Sequence, residues 1–501
     1  MSLSTSTPAP SERRIPLERL RGMVDFDPAS YQVRQQVLTR IQGIFAGHGY
    51  RQLETPVIEP TDLFLRKSGG DRINQMYAVH YRDHDIALRP EHTASILRFY
   101  VGSMQSEPLP VRLMYAGPVF RYEKPQASRS RQFTEAGCEL LGAAGPAADA
   151  EVIHLALEGL AATGITGRLV LGHIGIVLDF LDRLPLRQRA RDWLVWSMER
   201  LRKGQPVDVE ADLAGLTDTG RLSDLFNEMS GSLRDVPDEQ LHDWVMAVLR
   251  EVGVHMEGGT RSPEEIVAGV IAKISRQSDA EDVRRAFAFV RELVEIRGKP
   301  STVLPALHSL VARHHLHPEP ISQLEQVLDL LTAYGYETEE IELDLGLGRG
   351  LHYYTGILFE IYAAGTPSLQ LCGGGRYDDL AQVLGARQAL PACGFSYGLE
   401  RVIEAAGWTI EPEPVQALVV AANSGAAAEA IRVSEQLRAE GLRVEVDVRG
   451  RSVEANRRYA RRRGIARLVI VRGTDAIEHY DLRGLVTAGG NHQDVEEQAR
   501  G

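Results

Sequence analysis

The stretch Phe120–Gly142, FRYEKPQASRSRQFTEAGCELLG, decides the fold. Two apolar segments flank a polar centre that holds Glu123, Lys124, Arg129 and Arg131, a pattern that predicts a strand, a polar loop and a returning strand. An arginine beside apolar strand residues, followed by a charged loop, suits a polyphosphate with its base. The loop cations can anchor phosphates while Phe133 stacks on a ring. A hairpin with a solvated charged tip fits the same composition. The neighbouring stretches have to decide between them.

Upstream, Val33, Val37, Ile41 and Ile44 recur at helical spacing within Tyr31–Phe45, and the glycines 47 and 49 then lead into YRQLETPVIEP, which alternates like a strand and stops at Pro60. The runs IALRPEHTASILRFYV and VRLMYAGPVFRYE predict strands flanking a helix, so a mostly antiparallel sheet is expected. Between about Leu184 and His317 long amphipathic runs such as AEDVRRAFAFVRELVEI replace strand signals, which reads as a helical insertion. Strands punctuated by glycine return at IELDLGLGRGLHYYTGILFEIYAAG, SLQLCGGGRYDDLAQVLG and PACGFSYGLERVIEAAG. After the linker WTIEPEPVQ the order ALVVAA, helix, LRVEVDV, helix, RLVIVRG is βαβαβ, a small parallel sheet. The expected organisation is a disordered tail over 1–15, a split core over 16–183 and 321–410, a helical insertion over 184–320, and a C-terminal α/β domain over 415–490.

A chain of 501 residues is long enough for several cores without disulfides or metal staples. Its three cysteines form no CxxC or paired framework, and no apolar run approaches a membrane span or signal sequence, so a cytoplasmic location and no membrane partner are expected. The formal net charge of -12 argues against indiscriminate coating of nucleic acid and leaves room for a local basic patch. RGRSVEANRRYARRRG, Arg449–Gly464, is that patch: Arg457, Arg458 and Arg461 on a helix suit phosphate contacts, or a solvated face. RHHLHPEP, with His314, His315 and His317, has no acidic or thiol partner at ligand spacing and reads as a polar turn rather than a metal site.

ETPVIEP (Glu54–Pro60), FRYEKPQ (Phe120–Gln126) and GFSYGLERV (Gly394–Val402) together resemble motifs 1, 2 and 3 of class II aminoacyl-tRNA synthetases. LRPEHTA (Leu88–Ala94), GRGLHYYTGILFE (Gly348–Glu360) and CGGGRYDDL (Cys372–Leu380) narrow the resemblance to the histidyl-tRNA synthetase family. The resemblance implies an α+β fold with a class II antiparallel sheet core, a homodimer, a C-terminal anticodon-binding domain, and the substrates L-histidine, ATP with Mg2+, and tRNA-His. Carried over residue by residue, it gives Arg121 and Arg349 to the α-phosphate as the catalytic cations, and Arg401 to the γ-phosphate. Glu123 goes to the adenine, Phe133 stacks on it, and Arg129 joins the ATP-binding set. Guanidinium forks at the phosphorus stabilise charge that accumulates as the histidine carboxylate attacks. For histidine itself the resemblance gives Glu91 to the amino group with Thr93 nearby, Glu139 and Tyr354 to the imidazole, and Glu135, Arg349 and Tyr353 to the rest of the pocket, with Tyr377 as a wall. The glycines 373–375 either let backbone approach the ligand or make a tight turn or bulge.

Several positions depart from the family pattern. His92 stands where Gly is usual, SRSR (Ser128–Arg131) where Gly-Arg-Tyr-Arg is usual, Glu135 in place of Gln, and His352 in place of Asp. A carboxylate at 135 disfavours charge build-up at phosphorus unless it is paired or protonated. LVLGHIGIVLDFL, Leu169–Leu181, resembles the regulatory subunit of ATP phosphoribosyltransferase, a non-charging relative. A histidine-sensing regulatory protein, or a sensor that has lost transfer to tRNA, therefore stands beside the tRNA ligase as an alternative.

Overall fold

A computed structural model describes residues 18–66, 76–122, 130–217, 280–348, 353–409 and 414–482. The expected tail over 1–15 lies outside the described residues, as do 218–279 of the expected insertion. The chain divides into two compact units, Met1–Thr409 and Ile410–Gly501.

In the first unit, α1 (Pro28–Gly47) begins where Asp27 accepts a hydrogen bond from the Ser30 amide at 2.7 Å, with proline in the first turn. Its buried stripe is Val33, Val37, Ile41 and Phe45. Phe45 replaces the expected Ile44 because it lies against the rings of Phe395 and Tyr397, at 5.6 and 6.2 Å between centroids. The single strand expected before Pro60 is two short ones in different sheets, β1 (Arg51–Gln52) and β2 (Ile58–Pro60). Arg89 separates them: buried, it donates from Nη1 to the Thr55 carbonyl at 2.7 Å, so the backbone between the strands is satisfied without a ladder.

There follow α2 (Thr61–Leu65), the hairpin β3 (Tyr77–Tyr81) and β4 (His84–Leu88), and α3 (Thr93–Ser103). The hairpin expected at the opening stretch is β5 (Val111–Phe120) and β6 (Gln132–Leu141), paired antiparallel throughout. Next come α4 (Pro146–Ala161), β7 (Gly167–His173) and α5 (Gly175–Asp182). The helical segment contains α6 (Gln188–Arg202), α7 (Val209–Thr217), α8 (Ala280–Val294), the short β8 (Arg297–Gly298), α9 (Pro300–Arg313) and α10 (Glu319–Ala333). It is tied to the core by Arg202, which reaches Asp344 at 2.7 Å and Glu360 at 3.1 Å. His314 closes α9 and pairs with Glu292 at 3.1 Å, consistent with a polar turn.

The core resumes with β9 (Glu342–Asp344), β10 (Ile357–Ala363), β11 (Thr366–Arg376), α11 (Leu380–Val383), β12 (Ala392–Gly398) and α12 (Leu399–Ala406). One nine-stranded sheet has the order β1-β5-β6-β12-β11-β10-β7-β9-β8. It is antiparallel except at β1/β5 and β7/β9. Strands far apart in sequence, β6 and β12, thereby become neighbours.

The second unit runs β13 (Ala417–Ala421), α13 (Ala427–Ala439), β14 (Val444–Val446), α14 (Val453–Arg462), β15 (Arg467–Gly473) and β16 (Ala476–Asp481). The expected parallel βαβαβ is present in the order β14-β13-β15, and β16 adds an antiparallel edge. That edge escaped the sequence reading because its residues are mostly polar and none is buried. No helix among the described residues is long and apolar enough to cross a membrane.

Candidate active site

Residues 135, 137 and 139 of β6 share one face of the sheet by the two-residue strand period, and the facing register places 394, 396 and 398 of β12 beside them. Glycines on this face make a depression. A β-carbon on Gly394 would collide with Glu139 Oε2, and one on Gly137 would stand 2.7 Å from the Tyr115 hydroxyl. Gly374 and Gly375 are likewise packed against backbone, inside a continuous strand, so the 373–375 run serves close approach and makes no turn. The depression is the floor of a cleft of about 80 Å³ whose polar lining includes Glu91, Thr93, Arg121, Glu135, Tyr353 and Tyr354. Tyr115, Tyr377, Gly373, Gly394, Phe395 and Ser396 complete it.

At one end, Glu139 is buried and its two oxygens are already oriented. Thr93 Oγ1 donates to Oε1 at 2.7 Å, and the Tyr377 hydroxyl donates to Oε2. Burial, reinforced by the nearby Glu139 charge, pushes the Tyr377 and Tyr115 phenols well above their usual range, so both stay protonated donors. Tyr353 and Tyr354 lie side by side with ring centroids 4.5 Å apart, and Tyr353 is 5.7 Å from the Tyr377 ring. The result is an aromatic wall around a fixed carboxylate. Glu91 stands at the start of α3, where its Oε1 accepts the Ala94 amide at 3.1 Å.

At the other end, Arg121 leaves β5 and turns inward. Its Nε donates to the Pro90 carbonyl at 2.8 Å and its Nη2 to Glu135 Oε1 at 2.6 Å, while its guanidinium carbon lies 5.0 Å from the Phe133 ring centroid. Glu135, 5% exposed, also meets His92 Nδ1 at 3.4 Å. The unusual carboxylate at 135 is therefore paired. His92 is itself buried and stacked on Tyr115 at 4.5 Å. Its Nε2 finds no hydrogen-bond partner among the described residues. Burial holds the His92 imidazole below its usual pKa although Glu135 pulls the other way.

Six of the expected site residues thus line one cleft, Glu91, Thr93, Arg121, Glu135, Tyr353 and Tyr354, and Glu139 is tied to it through Thr93 and Tyr377. Phe133 joins them through Arg121. Arg401, on α12, is not in the lining and donates from Nη1 to the Gln370 carbonyl at 3.0 Å. Glu123, Arg129 and Arg349 lie outside the described residues, as does His352. Tyr115 and Ser396 were missed by sequence reasoning. The only signal for Tyr115 is a bulky residue facing Gly137, which becomes visible once the strand register is known.

In the C-terminal unit, Ser452 caps α14 by accepting the Ala455 amide at 3.3 Å. Asp447 organises the preceding loop by accepting the Arg449 and Arg451 amides and the Asn456 side chain, at 3.2, 2.7 and 2.9 Å. Arg458 and Arg461 are exposed on this helix, and Arg457 lies over the Tyr480 ring at 4.6 Å.

The family described as Histidyl-tRNA synthetase matches residues 22–219 and 245–402, and that described as Anticodon binding domain matches 416–483. The histidine–tRNA ligase of Pyrococcus horikoshii is 32% identical over 476 residues, covering 94% of each chain. That of Pyrococcus furiosus is 33% identical over 477 residues, again covering 94% of each. Among solved structures, a protein described as an ATP phosphoribosyltransferase regulatory subunit/histidyl-tRNA synthetase from Bacillus halodurans has a TM-score of 0.61 at 21% identity, over 92% of this chain and all of that one. A histidyl-tRNA synthetase from Nostoc sp. has a TM-score of 0.60 at 20% identity, over 94% of this chain and 96% of that one. At those identities the structures speak to the fold, a class II sheet core with a C-terminal anticodon-binding domain. From the extent of the family match, and from relatives about one-third identical along almost the whole length, the chain belongs to the histidyl-tRNA synthetase family.

Proposed function

We propose that this protein is a histidine–tRNA ligase: it activates L-histidine with ATP to the adenylate and transfers the histidyl group to tRNA-His. The observation that carries the reading to the residues is the pair of pre-oriented ends of one cleft. Glu139, held by Thr93 and Tyr377, offers its charge to an imidazole N–H, and a side chain lacking that donor forgoes a charge-assisted hydrogen bond in a buried site. Glu91 at the start of α3 faces the same cleft and takes the substrate ammonium.

Bound in this way, the histidine carboxylate points toward Arg121 and attacks the α-phosphorus in line as pyrophosphate leaves. No side chain need serve as nucleophile, since orientation and the cations at phosphorus supply the rate. Arg121, and by resemblance Arg349, stabilise the equatorial oxygens; Phe133 stacks on the adenine, Glu123 and Arg129 complete the nucleotide site, and Arg401 meets the γ-phosphate. The terminal ribose hydroxyl of the tRNA then attacks the acyl carbon, the acyl–phosphate bond breaks, and AMP leaves. Glu91, Glu135 and Glu139 are each hydrogen-bonded within the protein, so magnesium is assigned to the nucleotide phosphates, where it neutralises charge, and no protein ligand is named for it.

Arg457, Arg458 and Arg461 meet anticodon-stem phosphates, a reading supported by the match of 416–483 to an anticodon-binding family. A homodimer is part of this reading, supported by Ile58, Val79 and Tyr81, large apolar side chains exposed on the small sheet that carries the motif 1 stretch. A cytoplasmic site of action is in keeping with three buried free cysteines. The regulatory alternative is not favoured, because the relatives nearest one-third identity are named as ligases and the anticodon-binding unit is retained. The test is histidine-dependent exchange of labelled pyrophosphate into ATP, followed by charging of tRNA-His, with Arg349→Ala as control. Exchange that depends on Arg349, followed by charging, is expected. Histidine binding without exchange would overturn the proposal.

A further inference from the structure

Away from the active-site cleft, three side chains with metal-binding chemistry converge at the end of α1. His48 follows the last residue of α1, while His154 and Glu158 lie one turn apart on α4, so both project from the same face of that helix. His48 Nε2 is 2.7 Å and His154 Nε2 3.4 Å from the same oxygen, Glu158 Oε2. All three donor atoms lie within 4.8 Å of one another. Ligands at 2.0–2.2 Å around a tetrahedral zinc ion stand about 3.4 Å apart, so the present separations bracket the spacing such an ion needs.

The surroundings support ligation in two independent ways. Tyr336 Oη lies 2.9 Å from His154 Nδ1, so a proton on Nδ1 leaves the Nε2 lone pair directed at Glu158, the orientation that outer partners impose on metal-bound histidines. The Tyr334 ring stacks on the same imidazole at 4.1 Å with planes 14° apart, which fixes the direction of that lone pair. Glu158 and Tyr336 also border a separate cleft of about 590 Å³, which gives the Glu158 side of the cluster access to solvent. Two imidazoles with one carboxylate select a borderline divalent transition ion over magnesium or calcium, which prefer all-oxygen sets.

We infer that His48, His154 and Glu158 form a zinc-binding site that joins the end of α1, the α4 helix and the turn after α10. It owes nothing to the reaction assigned above. Full-length protein stripped with a chelator is titrated with Zn2+ by calorimetry and with Co2+ by visible absorption. Thermal midpoints are recorded with and without metal. One ion per chain is expected, with an intense four- or five-coordinate Co2+ band and a midpoint that rises with zinc. His48→Gln, His154→Gln and Glu158→Gln, polar and close in shape, should each weaken binding at least tenfold and abolish the rise. A His315→Gln/His317→Gln variant should bind like the parent. Absence of binding below about 0.1 mM, or binding that survives His48→Gln/His154→Gln, overturns the proposal. Circular dichroism of each metal-free variant separates loss of the site from loss of the fold, and where a glutamine variant is unfolded the Co2+ spectrum of the parent decides, since a built low-coordinate site gives an intense band and octahedral, loosely held Co2+ a weak one that counts against the proposal.

Discussion

Replacing Glu139 by Gln tests the specificity argument with little change in shape. The carboxylate is 1% exposed, and its oxygens accept Thr93 Oγ1 at 2.7 Å and the Tyr377 hydroxyl. Both partners are hydroxyls and can reverse to accept from the new amide, so the fold is expected to lose about 1 kcal/mol or less. The substrate imidazole keeps an acceptor but loses a charge. Hydrogen bonds to charged groups are worth roughly 1.5–3 kcal/mol against roughly 0.5–1.5 for neutral ones, a difference of about 1–2 kcal/mol, or about 5- to 30-fold in affinity. In pyrophosphate exchange the KM for histidine should rise by that factor, while the KM for ATP stays within about twofold and the thermal midpoint within a few degrees. An unchanged KM for histidine, or a parallel rise in the KM for ATP, would refute the assignment of Glu139 to the imidazole.

Three further outcomes follow from other parts of the molecule. Arg121→Ala removes the ion pair at 2.6 Å from the buried Glu135 and should lower stability by about 2–3 kcal/mol in chemical denaturation; Arg121→Ala/Glu135→Gln should recover most of that loss, and equal losses would show that the pair is not coupled. His173 is buried with Nδ1 accepting the Gly175 amide at 3.1 Å and Nε2 facing Gln323 at 3.0 Å, and burial lowers its pKa to about 4. The unfolded chain then binds the extra proton first, so its stabilising contribution is full above about pH 6.5 and falls by roughly 3 kcal/mol as pH drops toward 4; denaturation curves of His173→Asn should lack this slope. Arg457→Ala/Arg458→Ala/Arg461→Ala should raise the KM for tRNA and flatten its dependence on salt while exchange is untouched, and an equal loss of exchange would point to a structural role.

Local pattern was enough for the elements that carry chemistry. The apolar segments on either side of the polar break in Phe120–Gly142 belong to β5 and β6, and alternation along β6 puts Glu135 and Glu139 on one face. The βαβαβ order of the C-terminal unit was equally legible, because helix and strand periods differ. Chain segments whose conformation depends on distant partners were not. The strand expected across Glu54 and Thr55 is broken by Arg89, and the side chain that wins the last core position of α1 is Phe45 because Phe395 and Tyr397 stand there.

The sequence by itself determined which residues can bind phosphate, ammonium and imidazole, since those capacities belong to side-chain chemistry. Tertiary structure alone decided which of them act together. Glu139 becomes an oriented acceptor only when Thr93 and Tyr377, 46 and 238 residues away, close on its two oxygens. Arg376 joins Asp149 across 227 residues in the same way, and His48 meets Glu158 across 110. Composition and periodicity report on neighbours along the chain, whereas the energy of a buried charge is set by neighbours in space.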